Sequence, residues 1–303
     1  MSDLFSRARD WFYGLQDTIT QGLEQADGRG RFREDAWQRP GGGGGRSRVL
    51  EEGDLFEKAG VNWSDVAGEL PEDVAKNMPG TTRQFRATGI SLVLHPRSPM
   101  IPTTHANFRC LQKGDALWFG GGADLTPYYP YREDVVHFHT TWKTVCDRHS
   151  PEHYPRFKQW CDEYFFLKHR GETRGVGGIF FDYLQAPSLD AAYQLVVDAG
   201  SAFLESYLPL VERRRREPWG ERERSFQLYR RGRYVEFNLI YDRGTVFGLK
   251  TDGRTESILM SLPPLVRWIY DFKPEPGSRE AQLTEYLTPQ DWLGPIPAAG
   301  PYR

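Results

Sequence analysis

Apolar residues recur near a 3.6-residue period at Leu4, Trp11, Phe12, Leu15, Ile19 and Leu23, which predicts an amphipathic helix over 3–26. The pattern stops in GRGRFREDAWQRPGGGGGRSRVLEEG. Five glycines, Gly41 to Gly45, read as a flexible linker. No Gly-Lys-Ser/Thr follows them, so they are not a Walker loop. The flanking Arg39, Arg46 and Arg48 would also let backbone amides meet an anion, but the linker is the preferred reading.

From Phe85 the period shortens to two. RATGISLVLH, ANFRCLQ and ALWFG, with a turn at Lys113-Gly114-Asp115, predict antiparallel strands. Helices are expected over 132–148, with Glu133 and Asp134 in the first turn, and over 154–169, ending before Gly171. GVGGIFFDYL reads as a buried strand and 189–215 as one long helix. RYVEFNLIY and TVFGLK, around Asp242-Arg243-Gly244, read as a further hairpin. Short turns between strands, with helices grouped among them, give an α+β fold: a large antiparallel sheet flanked by helices on both faces. No repeat or boundary divides it, so 1–303 is expected to be a single domain, with the helical segment 1–30 part of it.

Charge and composition narrow the classes. A net charge of −2 over 303 residues gives no footprint for nucleic acid. Cys110, Cys146 and Cys161 have no CxxC spacing, which argues against a disulfide framework, an iron–sulfur cluster or a zinc ribbon. MSDLFSRARDWFYGL has no apolar h-region, and no run of about eighteen apolar residues follows, so neither a signal peptide nor a membrane span is expected. The expected compartment is the cytoplasm. An aromatic content of 14% fits either a large packed core or a pocket for a flat ring; composition favours the core.

Three groups of residues carry candidate chemistry. His95 and His105 flank a proline-rich loop, and His139 and His169 are expected on apolar helix faces. Such histidines are commonly hydrogen-bonded core residues; convergence of all four would make a divalent-metal site, though no HExxH or facial-triad motif is present. In WFGGGADLTPYY, Gly120 to Gly122 and Asp124 fit a glycine bulge with an Asx turn, or a backbone brought close to a ligand with one carboxylate aimed at it. Arg109, one hairpin away, is expected near Asp124 and would keep it ionised. In KTDGRTESILMSLPP, Thr255 or Ser257 fits the cap of a short helix stopping at Pro263-Pro264, and Asp252-Gly253-Arg254 is expected at the end of a strand. That segment is a turn and cap, or an amide-and-arginine cradle for an acidic ligand.

Together HPRSPMIPTTHANFR, WFGGGADLTPYY, the HFH of 137–139, RGRYVEFNLIYDRGTVFGLKT and GRTESILMSLPP resemble the oxygen-dependent coproporphyrinogen-III oxidases of bacterial type. The segment GGGGGRSRVLEEGDLFEKAGVN is similar to the amino-terminal part of that family, and the likeness runs from about residue 30 to the end. It implies dioxygen-dependent decarboxylation of the ring A and B propionates of coproporphyrinogen III to vinyl groups. The product is protoporphyrinogen IX, on the route to haem, with carbon dioxide and hydrogen peroxide or water released. It also implies a homodimer on a large antiparallel sheet, no organic cofactor, and a divalent metal cation as an option.

Residue by residue, the resemblance implies His105 as proton donor. Asp124 would face the pyrrole N–H groups, with Arg109 beside it at the substrate. Ser91, Asn107, Phe108, Arg109, Asp252, Gly253 and Arg254 are implied to bind the tetracarboxylate; a carboxylate at Asp252, where the family often has glycine, is expected to face away. His95, His105, His139 and His169 are implied as metal ligands, although one imidazole nitrogen cannot serve both as ligand and as proton donor. The dimer interface is expected near strand 233–241 and helix 256–262. A radical enzyme for the same step would need CxxxCxxC, which the chain lacks. A non-haem iron oxygenase would use the histidines as ligands, and a porphyrin carrier would bind the macrocycle without consuming oxygen.

Overall fold

The computed structural model describes residues 3–250 and 253–295, without the side chains of Phe247 and Lys250. Helix α1 (Leu4–Asp27) begins at Asp3, whose carboxylate accepts from the Ser6 N–H, and buries the expected stripe through Phe12, Leu15, Ile19 and Leu23. Its last residue, Asp27, is buried and accepts four backbone N–H groups, from Gly30, Asp54, Leu55 and Phe56, so one carboxylate fixes the route from the helix into the sheet.

Seven antiparallel strands follow: β1 (Arg33–Gln38), β2 (Gly43–Glu51), β3 (Phe56–Glu69), β4 (Gln84–Pro96), β5 (Thr103–Lys113), β6 (Ala116–Thr126) and β9 (Gly177–Leu184), paired in that order. The glycine run is therefore not a linker. Gly42 and Gly43 make the β1–β2 turn at φ of 111° and 84°, and Gly44 and Gly45 are strand residues opposite Gln38 and Trp37. The Trp37 ring covers Gly45 so closely that a Cβ there would meet it at 2.3 Å, which is why a flexible composition forms an ordered strand.

Between β6 and β9 lie α3 (Arg132–Asp147), α4 (His153–Tyr164) and a small hairpin of β7 (Phe166–Leu167) and β8 (Glu172–Thr173). A short helix, α2 (Glu72–Ala75), precedes β4. The expected 154–169 helix thus stops five residues early. Phe165 and Leu167 are buried with Phe180 and Phe237, and Gly171, at φ 67°, turns the hairpin. The expected 189–215 helix is two helices, α5 (Leu189–Ser201) and α6 (Phe203–Arg214), joined at Ala202. Pro209 lies inside α6 and has no N–H for the carbonyl of Glu205; that oxygen accepts from His137 Nε2 at 3.0 Å instead.

The largest departure is at 233–250. The expected hairpin is helical: α7 (Glu221–Ile240), α8 (Arg243–Lys250) and then α9 (Thr255–Leu259), followed later by α10 (Arg279–Tyr286). Aromatic and β-branched residues suggested strands, but Phe226, Tyr229, Arg230, Arg233, Tyr234 and Phe237 are buried at helical spacing, so packing overrides propensity. Neither Thr255 nor Ser257 caps α9; Arg254 stands at the N-cap position with no side-chain bond to the helix.

The two sheet faces differ. Ala106, Phe108 and Cys110, with Ile90, Leu92 and Leu94, belong to the main core with α1, α3, α5 and α6. The opposite face is polar along its middle, and segments from α7 to α9 meet it through His95, Asn62 and Gly60.

Candidate functional site

Directly paired residues share a sheet face. Cross-strand register therefore sets Ser47, Asn62, Ser91, Asn107, Gly122 and Phe180 in one row over six strands. The adjacent row carries His105 opposite Asp124 and Asp124 opposite Gly178. Strand alternation puts His105, Asn107 and Arg109 together on this face and sends Phe108 to the other. The Phe108 side chain is fully buried in the core, so the segment 107–109 presents two side chains, not three.

Asp124 is buried, and its oxygens are already committed. His105 Nδ1 lies 2.9 Å from Oδ1, and Arg174 reaches Oδ1 at 2.7 Å and Oδ2 at 2.8 Å from Nη2. Burial opposes charge on this carboxyl, but the Arg174 guanidinium and the His105 hydrogen bond outweigh it and hold the group below the usual carboxylate range. Arg174 is itself buried; it also donates to Asn238 and lies between the Phe165, Tyr234 and Phe237 rings. The expected neighbour of Asp124 was Arg109; its partner is Arg174, and Arg109 pairs with Asp182 at 2.9 Å and with the Asn107 side chain. Asp124 is thus placed to orient His105 rather than to meet a ring itself.

An Nδ1–H donated to Asp124 leaves His105 Nε2 as the proton-exchanging nitrogen, with Asn107 Nδ2 3.5 Å away. Phe165 packs edge-on against the imidazole. Arg109 lies over Gly120, where a Cβ would meet its Cζ and Nε at 2.9 Å; the glycine makes room for the guanidinium. Ser91 is exposed on the same row between Asn62 and Asn107.

The remaining candidates are spread out. Arg254 pairs with Asp35 on β1, Gly253 N–H donates to Gly248 O, and Asp252 lies outside the described residues. The four histidines do not form a metal centre: among the described residues no three His, Cys, Asp or Glu side chains are grouped to hold an ion. His139 donates from Nε2 to the Val176 carbonyl and takes the Tyr154 hydroxyl at Nδ1, and burial pushes its pKa down to about 3. His95 is buried against the Ser261 carbonyl and Thr103, and burial together with the Arg231 charge keeps it neutral. His169 is not on a helix; it spans Glu236 and Tyr241. With three imidazoles spent on protein partners, the donor set does not fit a resident cation.

Sequence reasoning missed Arg174 and Asp182. Arg174 stands in ETRGVGG just before β9, where nothing local marks it; Asp182 was part of an apolar strand.

Comparison with known proteins identifies the family. The family model described as coproporphyrinogen III oxidase matches residues 7–292. The chain is 57% identical to the oxygen-dependent coproporphyrinogen-III oxidase of Parasynechococcus marenigrum (strain WH8102), over 96% of this chain and 88% of that one. It is 56% identical to the protein of the same description from Synechococcus sp. (strain CC9605), over 97% and 89%. With the family model matching nearly its whole length and relatives at 56–57% identity, the chain belongs to the coproporphyrinogen III oxidase family.

Proposed function

We propose that the chain carries out the oxygen-dependent oxidative decarboxylation of the ring A and ring B propionates of coproporphyrinogen III, giving protoporphyrinogen IX. The observation that supports it most is the Arg174–Asp124–His105 chain opening beside Asn107 and Arg109 on the polar sheet face.

For each propionate, the carboxylate carbon leaves as carbon dioxide and one hydrogen leaves the side-chain carbon attached to the pyrrole ring, so that the two remaining carbons become the vinyl group. The two electrons go to dioxygen, which takes up two protons to become hydrogen peroxide. One proton comes from the substrate and one from the medium. His105 Nε2 is the group at the cleft that can move a proton, with Asp124 and Arg174 holding its tautomer. Arg109 and Asn107 position a carboxylate, and Ser91 extends the polar floor. Gly253 and Arg254 border the α8–α9 end of the same face. No organic cofactor enters this scheme, and no step runs through a metal.

The partners in this reading are the tetracarboxylate, dioxygen and a second copy of the chain, in the cytoplasm. No described helix is long and apolar enough to cross a membrane. Support for the dimer comes from exposed Leu239, Ile240 and Leu249 at the ends of α7 and α8, and from exposed Leu265, Trp268 and Tyr270 in the segment after α9. The region expected at the interface, 233–241, is the last turns of helix α7 and its C-cap Tyr241 rather than a strand.

The test is incubation with coproporphyrinogen III in air and under nitrogen, with product analysis. Protoporphyrinogen formed only in air is the expected result. Equal product without oxygen would refute the assignment, and substrate binding without product would make the chain a carrier.

A further inference from the structure

We propose that Lys58 is a receptor for a substrate carboxylate at the end of the polar sheet face away from Arg109. This rests on the reading of that face as the seat of a polycarboxylate macrocycle.

Lys58 stands opposite His95 across the β3–β4 pair, and Asn62 stands opposite Ser91. Lys58, Gly60 and Asn62 therefore share the polar face, and each meets the segment around α9: Lys58 the Leu262 carbonyl, Gly60 the Met260 side chain, Asn62 the Ser257 carbonyl. Arg109 lies beyond the Asn62–Ser91–Asn107 row in the other direction, level with Gly89 and Ser64. Lys58 and Ser64 are six residues apart, so the two cations attach about 20 Å apart along the strand direction. The Arg109 side chain extends across Gly120 toward Asp182, and the Lys58 ammonium meets the Leu262 carbonyl. A ring with carboxylates around its rim needs cations at opposed edges, and this pair brackets the row.

Three other cations of this face are already paired: Arg109 with Asp182, Arg174 with Asp124 and Arg254 with Asp35. Among the described residues no carboxylate lies within ion-pair distance of Lys58, which donates instead to the Leu262 carbonyl at 3.1 Å. The strand is irregular between Phe56 and Lys58, and the intervening Glu57 is buried between Arg224 and Arg231. Glu51, opposite on β2, and Glu256, on α9, are both exposed. Burial lowers the Lys58 pKa and these two acids oppose it only in part. The same end of the face is electropositive at His95, where the charges of Arg231, Lys58 and Arg174 all disfavour protonation.

An ammonium has three N–H donors, and one is used here. A carboxylate can take the other two without displacing the Leu262 carbonyl. Paired Arg109 offers a tetra-anion mainly hydrogen bonds; Lys58 adds a positive charge with no carboxylate in direct contact.

The experiment compares Lys58→Gln and Lys58→Arg with the unaltered full-length chain. Glutamine removes the charge and keeps an N–H donor for the Leu262 carbonyl. The measurements are steady-state turnover of coproporphyrinogen III, and binding of its oxidised form, coproporphyrin III, by quenching of tryptophan fluorescence. Loss of a charge-assisted contact made equally in ground and transition states raises KM and Kd by on the order of tenfold and leaves kcat little changed. Lys58→Arg is expected to recover part of the loss, since it keeps the charge in a different shape. Added salt should weaken binding to the unaltered chain more than to Lys58→Gln. KM and Kd within about twofold of the unaltered chain would overturn the assignment, even with a lower melting temperature; so would a fall in kcat at constant KM. If the unaltered chain neither binds nor turns over the tetracarboxylate, the proposed function fails first and this inference with it.

Discussion

His105 and Asp124 face each other across the β5–β6 pair, with Nδ1 2.9 Å from a carboxylate oxygen that Arg174 holds from behind. An imidazole proton on Nδ1 is thereby held toward the carboxylate, which leaves Nε2 as the ring nitrogen free of that carboxylate. In the proposed function the carboxylate would act on the substrate through the histidine. Removing its charge should therefore alter both the fold's interior and the chemistry.

Asp124→Asn is expected to lower kcat by on the order of 10²-fold or more, as for loss of a preorganised electrostatic group. It should also destabilise the protein by about 3 kcal/mol, because Arg174 is left buried and unpaired. Circular dichroism melting and single-turnover kinetics check the two effects separately. Near-normal turnover in the folded variant would reduce Asp124 to a structural acceptor. The pH dependence has a defined sign. The folded carboxyl lies below its ordinary value, so its stabilisation is complete above the unfolded carboxylate pKa and is lost as pH falls through the folded one.

Arg109→Ala should reduce kcat/KM roughly ten- to a hundredfold, the size of one hydrogen bond to a charged group. Asp182 would then have no cation beside it. Steady-state kinetics on the purified variant provide the check; a kcat/KM within about twofold would remove Arg109 from the substrate contacts.

Asp27 gives a prediction about stability alone. Its carboxylate accepts four backbone N–H groups where α1 meets the sheet. Burial disfavours its charge, yet the four donors prevail and lower its pKa. Asp27→Asn places an NH₂ among donors and should cost about 2 kcal/mol, seen as a lower denaturant midpoint with turnover per folded molecule unchanged. The difference between the two proteins should shrink on acidification below pH ~4, as the unfolded carboxyl takes up its proton.

Light scattering at micromolar concentration should give a dimer, and Leu265→Glu combined with Tyr270→Glu should give the 34.9 kDa monomer. Both side chains are exposed, Tyr270 completely, so the charges cost little in the isolated fold. An unaltered chain that runs as a monomer would contradict the assembly.

The antiparallel core was legible because β5 alternates, β4 does so in part, and β5 and β6 turn at Gly114; the β5 histidine, asparagine and arginine were legible from their resemblance. Helix α7 was not: RYVEFNLIY alternates well enough for a strand, and only the full stretch from Phe226 to Phe237 shows its helical burial. The glycine run misled for a related reason, since Trp37 that orders Gly45 is paired with it only across the hairpin. Arg174 was invisible because it meets Asp124 fifty residues away, through a loop with no periodicity. Residues whose role depends on their own strand could be read; those defined by a distant partner could not.

The six-strand polar row is a matter of odd and even numbers. In β5 every odd position from His105 to Arg109 faces the cleft, and every even one, Ala106 to Cys110, faces the core. Inserting or deleting a single residue within this strand would exchange the two sets at once, turning Phe108 outward and driving His105 and Arg109 into the hydrocarbon interior. Two added residues would restore the alternation and shift the row by about 7 Å instead. Mutational drift in this protein can therefore change side chains one at a time at such positions but length only in pairs, and recombination that joins strands from relatives must preserve parity before it preserves identity.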